Sequence, residues 1–494
     1  MTDKITYESL KLGERALDAY RDGKDPVWIA ENLPTYLNTR QVYGGLNTTD
    51  LVIAAELAGI NGFLIGSKGT GKSQLAQDIS QHHFSGRFSE GGKAFLTEAN
   101  NDFQLEPLFV KFNTQTGRKE LIGTHTCLFY NIEEFNRAHP VVQNEFYSFG
   151  NGRLIMNGFN VPLGQDGYSC AFATGNDPRN QKSSGAFTTD EALLSRFGFV
   201  LNLDDPNYRV TEEDEYHLNK IKPANPGVLM SGAKRDISDK IIAANKEIVR
   251  ASLDLGVEAE AVFAYLSRGL STCPGYMKSN KTKDKKTACR KKDIDWPHDC
   301  ESCVRKSSID NKTPLCKKAT FFDPRVLNAT RRYASALDYL ARVKDPNANI
   351  DPAELVFTAF ELTGAYQGVL NEKILELEFK NRNNTMMRQV VDALKSDFKR
   401  KQDFIIPMLE TARQGGKIIA FYEVDSRNGK NILYANPEAD KAIREKLSEG
   451  APEKLVGKRI SLDDAFTDNQ DIPMSWVPQL AKFESRDAEL RRKK

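Results

Sequence analysis

Gly66-Ser67-Lys68-Gly69-Thr70-Gly71-Lys72-Ser73 fits the pattern G-x-x-x-x-G-K-[ST]. Glycines at this spacing let backbone N–H groups curl round phosphate oxygens with no Cβ in the way. Lys72 would bring a cation to the β- and γ-phosphates of a nucleoside triphosphate, and Ser73 a hydroxyl to Mg2+. A second set follows in CLFYNIEEFNRA, where an apolar run ends in Glu133-Glu134. Two carboxylates then stand just beyond a buried strand, where Mg2+ and an attacking water would lie. A third set is the crowd of Cys273, Cys289, Cys300, Cys303 and Cys316. Cys300-Glu-Ser-Cys303 is a CxxC knuckle, Cys289 and Cys316 flank it at separations that allow the other half of a tetrahedral site, and Cys273 and His298 are spare candidates. Four thiolates need a cation, and a short polar segment needs a cross-link; zinc meets both needs, with an iron–sulfur cluster or unligated thiols as alternatives.

The phosphate-loop chemistry requires a strand before the glycines and a helix after them. Gly62-Phe-Leu-Ile and Ser73-Gln-Leu-Ala-Gln-Asp-Ile-Ser supply both, in the order that presents a helix N-terminus to an anion. Upstream, Thr48-Thr49-Asp50 offers N-cap groups for an apolar helix through LVIAAELAG. Short apolar runs at LFVKF (108–112), TCLFY (126–130), YSCAFAT (168–174) and FVLNL (199–203) alternate with helical stretches and predict a parallel sheet covered on both faces. GRLIMNGFNVPL has the strand, Asn-Gly, strand pattern of a hairpin. Past Pro206 the apolar period lengthens to three or four residues and predicts helices in ISDKIIAANKEIVRASLDL, VEAEAVFAYLSRGL, PRVLNATRRYASALDYLA and PAELVFTAFELTGAYQGVL. IIAFYEV and NILYAN then read as strands on either side of a turn.

The expected organisation is α/β. A helical extension covers 1–35, a nucleotide-binding domain with a parallel sheet 36–206, a helical lid 207–395 interrupted by the cysteine-rich insertion at 272–320, and a small α/β domain 396–494.

Glu134-Phe-Asn136-Arg137-Ala138, VVQNEFYSFGNGRLIMNGFNVPLG, FATGNDPRN and EALLSRFGF follow one another in an order and spacing similar to the MoxR branch of the AAA+ ATPases. The resemblance spans roughly residues 40–205, and more loosely the helical lid. It implies an ATP- and Mg2+-dependent hydrolase, with Lys72 and Ser73 as Walker A residues and Glu133 and Glu134 as the Walker B pair. It further implies Asn176 as the sensor 1 group, Arg196 as a finger offered to a neighbouring subunit, and Arg325, in Asp-Pro-Arg-Val-Leu-Asn-Ala, as the sensor 2 arginine of the lid. Each has a plainer alternative: Asn176 could cap a turn, Arg196 could pair with Glu191, and Arg325 could be a solvated first-turn residue.

The resemblance also implies a ring of subunits, a hexamer as the expected size, acting chaperone-like on a protein partner, often one with a von Willebrand factor A domain. Two departures stand out. Glu133 occupies the position where the family has Asp, which adds a methylene to the metal-side carboxylate and suggests slow hydrolysis. Only about a dozen residues, NTQTGRKELIGTH, separate the expected second strand from the Walker B strand, leaving little room for the family's helix-2 insertion.

Among 494 residues, 69 Lys and Arg balance 67 Asp and Glu, which excludes a wholesale polycation built round nucleic acid or an acidic membrane. Basic character is local: from Cys273 to Lys318 there are thirteen Lys and Arg against six Asp and Glu. That run could contact nucleic-acid phosphates, with Tyr276 and Trp296 stacking on bases. Two aromatics are few for a stacking platform, so a nucleic-acid-associated ATP switch stands as an alternative, beside a structural ring subunit that turns ATP over slowly. The longest apolar stretch, Leu51 to Ile65, is broken by Glu56 and Asn61, and the first twenty residues lack the order of a signal peptide. The chain therefore reads as cytoplasmic, with no membrane span. Cys127 and Cys170, in apolar runs, read as buried filler. GKIIAFYEVDSRNGKNILYANPEADKAI with LVGKRISLDD faintly resembles a PAS-type fold and reads as a small interaction domain.

Overall fold

The computed structural model describes residues 41–67, 69–146, 148–176, 191–212, 234–268, 318–319 and 324–413, with strands at 420–425, 430–434 and 459–460. The expected N-terminal extension, Lys68, the cysteine-rich insertion with Cys273, Cys289, His298, Cys300, Cys303 and Cys316, and most of the C-terminal segment lie outside those residues.

In chain order the first unit comprises α1 (Thr48–Leu57), β1 (Gly62–Ile65), α2 (Lys72–His83), β2 (Ala94–Glu98), the short α3 (Glu106–Phe109), β3 (Val110–Asn113), β4 (Arg118–Leu121) and β5 (Phe129–Glu133). It continues with α4 (Pro140–Glu145), β6 (Arg153–Met156), β7 (Phe159–Pro162), β8 (Cys170–Gly175), α5 (Glu191–Leu194) and β9 (Phe199–Asn202). Helices α6 (Ser238–Ala251), α7 (Val257–Arg268), α8 (Pro324–Lys344), α9 (Pro352–Gly364), α10 (Glu372–Phe379) and α11 (Asn383–Arg413) follow, then β10 (Ala420–Asp425), β11 (Lys430–Tyr434) and β12 (Arg459–Ile460). No helix among the described residues is long and apolar enough to cross a membrane.

Five strands form one parallel sheet in the order β2-β5-β8-β1-β9. Its central strands β8 and β1 are buried at every residue, as a sheet covered on both faces requires. Phe63, Phe135 and Phe197 pack edge-on or tilted above one face, while Phe84 stacks on Phe129, which meets Phe172 edge to face.

One strand of the sheet lies elsewhere than the apolar pattern predicts. The second sheet strand is β2 (Ala94–Glu98), whereas LFVKF belongs to α3 and to β3, which pairs antiparallel with β4 outside the sheet. The physical reason is one-sidedness: Lys111 and Phe112 are exposed, so the run lines the surface of a hairpin. The interval between β2 and β5 is therefore residues 99–128, and it carries the β3–β4 hairpin. The shortage of residues expected there does not exist.

The Asn-Gly hairpin forms as anticipated. Met156 pairs with Phe159, and Asn157 and Gly158 turn the chain at φ 50° and 83°. Lys119 Nζ joins the two hairpins, donating to Glu106 Oε1 at 2.6 Å and Asn157 Oδ1 at 3.1 Å. Together they expose two apolar side chains, Phe112 at 62% and Ile155 at 56%.

Helix α1 starts one residue earlier than its sequence suggests. Asn47 is the N-cap and closes a capping box with Asp50, worth about 1 kcal/mol. Its far end ties the helices to the sheet. The carbonyls of Glu56, Leu57 and Ala58 accept from Tyr168 Oη, Asn245 Nδ2 and Arg332 Nη2 respectively, and the Cys170 thiol points at Ile60 O. Leu57 O and Ala58 O belong to the last turn, whose carbonyls an α-helix leaves unpaired, while Glu56 O also accepts the Gly59 N–H at 2.8 Å, and a guanidinium there complements the helix dipole. A buried pair, His83 Nδ1 and Glu56 Oε1 at 2.6 Å, locks α2 to α1. Cys127 and Cys170 are both buried and free; burial pushes the Cys127 thiol up to about 12.

The four expected helices past Pro206 are present as α6, α7, α8 and α9. Arg331 of α8 pairs with Glu260 of α7 and lies over the Phe263 ring at 4.1 Å. Helix α11 runs unbroken across residue 396, where the sequence pattern changes. The two strands expected near the C-terminus pair antiparallel as β10 and β11.

Candidate phosphate-loop site

Parallel strands bring all their C-terminal ends to one edge, and that edge gathers the first two chemical sets. Ile65 lies opposite Gly175 across β1 and β8, Ile132 opposite Ala173 across β8 and β5, and Glu98 opposite Glu133 across β5 and β2. With neighbouring strands about 4.8 Å apart, the glycine loop after β1 and the glutamates ending β5 stand about 10 Å apart, with the end of β8 between them.

The loop takes its shape from its glycines. Gly69 and Gly71 hold φ at 84° and 85°, a region that penalises any Cβ. Gly71 is the N-cap of α2, and no side chain caps that end, so the first-turn N–H groups face the loop without a side-chain acceptor. The Lys72 ammonium, buried, donates to Gly66 O at 2.8 Å and Ser67 O at 2.7 Å and lies 3.3 Å from Thr70 Oγ1. Burial lowers its pKa, and the carboxylates of Glu134 and Asp204 oppose that shift. The charge of Glu134 thus acts on Lys72 across the gap between the strands.

The two glutamates differ in surroundings. Glu133 Oε1 accepts from Gln77 Nε2 of α2 at 3.0 Å and from Asn131 Nδ2 at 3.4 Å. Glu134 has left the strand: its φ of 51° turns the chain into the short 3-10 segment Phe135–Arg137, and its Oε2 is ion-paired with Arg137 Nε at 3.1 Å. Asn136, buried beneath it, donates to Asn176 O at 3.4 Å. Gly175 allows that approach, since a Cβ there would stand 2.8 Å from Asn136 Oδ1. Gly66 N–H in turn donates to Gly175 O at 3.3 Å, so the loop and the end of β8 are directly joined.

Two buried acceptors at this edge, Asn131 Oδ1 and Asn136 Oδ1, have no hydrogen-bond donor, and the buried Glu134 Oε2 has only its ion pair with Arg137. Oxygen donors alone (the Ser73 hydroxyl and the two glutamates) beside a helix N-terminus and an ammonium fit a Mg2+-bound phosphate chain. When bound, Mg2+ would neutralise charge on the terminal phosphates. Ser73 and Glu133 would hold it, and Lys72 with the loop amides would hold the phosphates. Among the described residues no group of three or more His, Cys, Asp or Glu is arranged to hold a metal ion.

Arg196 and Arg325 lie elsewhere. Arg196 comes three residues before β9 begins, at the N-terminal edge of the sheet, and its Cβ packs where a Cβ on Gly150 would stand. Arg325 is exposed in the first turn of α8, one turn from Ala329, whose Cβ packs against Gly198, also at the N-terminal edge of β9. A four-residue strand spans about 13 Å, so this edge is remote from the chain's own phosphate loop.

Three residues at the site were not singled out from sequence. Gln77 sits four residues after Ser73, on the same face of α2, and that spacing could have found it. Asp204 follows a buried strand, as Glu134 does. Glu98 could be found only after β2 was placed.

Strand, glycine-rich loop and helix arranged in this way make the site one of P-loop class on a parallel α/β sheet. No protein-family model matches the chain. No curated protein matches it either. Among solved structures, it is similar to "a putative ATPase from Cytophaga hutchinsonii", with 15% identity over 77% of this chain and 98% of that one and a TM-score of 0.47. Values of that size transfer no activity.

Proposed function

We propose that this chain is an ATP hydrolase of the MoxR type that binds Mg2+-ATP at the edge of β1, β8 and β5, assembles into a ring, and uses turnover to remodel a protein partner. The observation that carries the reading is the convergence of Lys72, on an uncapped helix N-terminus, with Glu133 and Glu134 on the C-terminal edge of one parallel sheet. The position of Arg196, at the edge of the sheet opposite its own phosphate loop, supports ring assembly, since it would serve a neighbour's site. The paired hairpins support a protein partner, because Phe112 and Ile155 are presented to solvent on β-ribbons tied together through Lys119. A partner with a von Willebrand factor A domain is the class the family resemblance suggests.

The test is direct. Purified protein with Mg2+-ATP should release phosphate, and light scattering should show a larger assembly with ATP than without nucleotide. Absence of Mg2+-dependent phosphate release would reject the hydrolase reading, and an unchanged monomer in ATP would reject the ring.

The cysteine-rich segment is assigned zinc on its spacing. Protein prepared without chelator should carry about one zinc per chain, and Cys303→Ser should lower that content while sparing ATP binding. Metal-free protein, or a visible-light chromophore, would overturn the zinc assignment.

A further inference from the structure

We propose that Asp204 is a positioning residue that couples helices α9 and α11 to the phosphate loop. The proposal rests on the reading of that loop as a nucleotide site. Asp204 Oδ1 and Oδ2 both accept from the Ser67 N–H, at 3.0 and 2.9 Å, and Oδ2 also accepts the Ser67 hydroxyl at 2.9 Å. Ser67 is the second residue of the loop, and its own carbonyl takes the Lys72 ammonium at 2.7 Å. Asp204 thus holds the peptide that parks the lysine.

The opposite side of the same segment is fastened to helices. Asp205 takes both terminal nitrogens of Arg388 from α11, at 3.0 and 2.8 Å, and Arg388 reaches Glu361 of α9 at 3.5 Å. Tyr208 donates to that glutamate at 3.2 Å. Asn202 completes the link, accepting the Asp204 N–H at 2.9 Å and donating to Tyr366 Oη at 3.2 Å. A displacement of α11 relative to the sheet would therefore move Asp205, its neighbour Asp204, and Ser67. Stability does not explain the Asp204–Ser67 contacts, because hydrogen bonds between exposed groups contribute little when water can replace either partner; the Asp205–Arg388–Glu361 network behind them is largely buried and anchors the segment.

The test measures ATP affinity by equilibrium titration of the full chain with Mg2+-ATP, for wild type, Asp204→Ala, Asp204→Asn, Arg388→Lys and the Asp204→Ala/Arg388→Lys pair. Asp204→Ala should raise Kd about five- to tenfold, with the melting temperature unchanged. Asp204→Asn should recover much of that loss, because its carbonyl still accepts the Ser67 N–H. Arg388→Lys loses the two-pronged geometry and should weaken binding by a similar factor. The pair should be no weaker than the worse single variant, as expected for one path. A wild-type Kd in Asp204→Ala, or a pair whose losses multiply, would overturn the coupling while leaving the nucleotide site intact. Failure of wild type to bind ATP, with Lys72→Ala no different, would remove the nucleotide site and the coupling with it.

Discussion

Replacing Glu134 by Gln is expected to leave ATP bound and to slow its hydrolysis by about two orders of magnitude or more, whereas Lys72→Ala is expected to lose binding itself. The split follows from where the charges sit. Lys72 is the cation inside the loop, in contact with the carbonyls that shape it, so its removal takes away both phosphate attraction and a strut. Glu134 stands across the end of β8 from the loop, on a left-handed turn, with one oxygen buried and engaged only through an ion pair with Arg137. A carboxylate so placed can take a proton from water or orient it. Glu133 is held differently, by the amides of Gln77 and Asn131, which suits a carboxylate that must stay still beside a metal. Phosphate release and nucleotide titration on the same preparations check both parts. Unchanged steady-state release in Glu134→Gln would overturn the assignment, and a dead Glu133→Gln beside an active Glu134→Gln would exchange the two roles.

The phosphate loop was legible because its residues act through backbone geometry that glycine alone supplies, and because the strand and helix beside it are contiguous in sequence. The Asn-Gly hairpin and the helices past Pro206 were legible for the same local reason. Strand β2 was not. It lies at the sheet's edge, where Phe95, Leu96 and Thr97 are only half-buried, so its sequence lacks the continuous apolar run of β8. LFVKF imitates a sheet strand because it is apolar and well spaced, although its exposed Lys111 and Phe112 belong to a hairpin. Gln77, Asp204 and Arg388 act through contacts between residues 56 to 183 positions apart, which no periodicity reports. The two hairpins gain their relation in the same way: Lys119 and Asn157 are 38 residues apart and meet only once β4 and β7 are in place.

Arg196→Ala is expected to lower turnover about a thousandfold if the residue serves as a finger, with nucleotide binding largely retained. The proposed ring fixes where it would act. Its backbone N–H closes a turn on Leu193 just before β9, and β9 must run its full length before the chain reaches Leu203 beside Ile65, next to the loop. The side chain therefore starts at the edge opposite its own Lys72, so in the proposed ring the γ-phosphate it would meet is a neighbour's. Mixing decides the matter. Arg196→Ala subunits keep Glu134 and Lys72, while Glu134→Gln subunits keep Arg196, so an interface formed from one of each, in the right order, has a complete set. Phosphate release from mixtures should exceed that of either parent and peak at an intermediate ratio, and it should vanish when Lys72→Ala is added to the Arg196→Ala chain, which removes the only competent loop. A mixture that never exceeds its parents at any ratio would place Arg196 in service of its own chain, or leave the chain without a neighbour to serve.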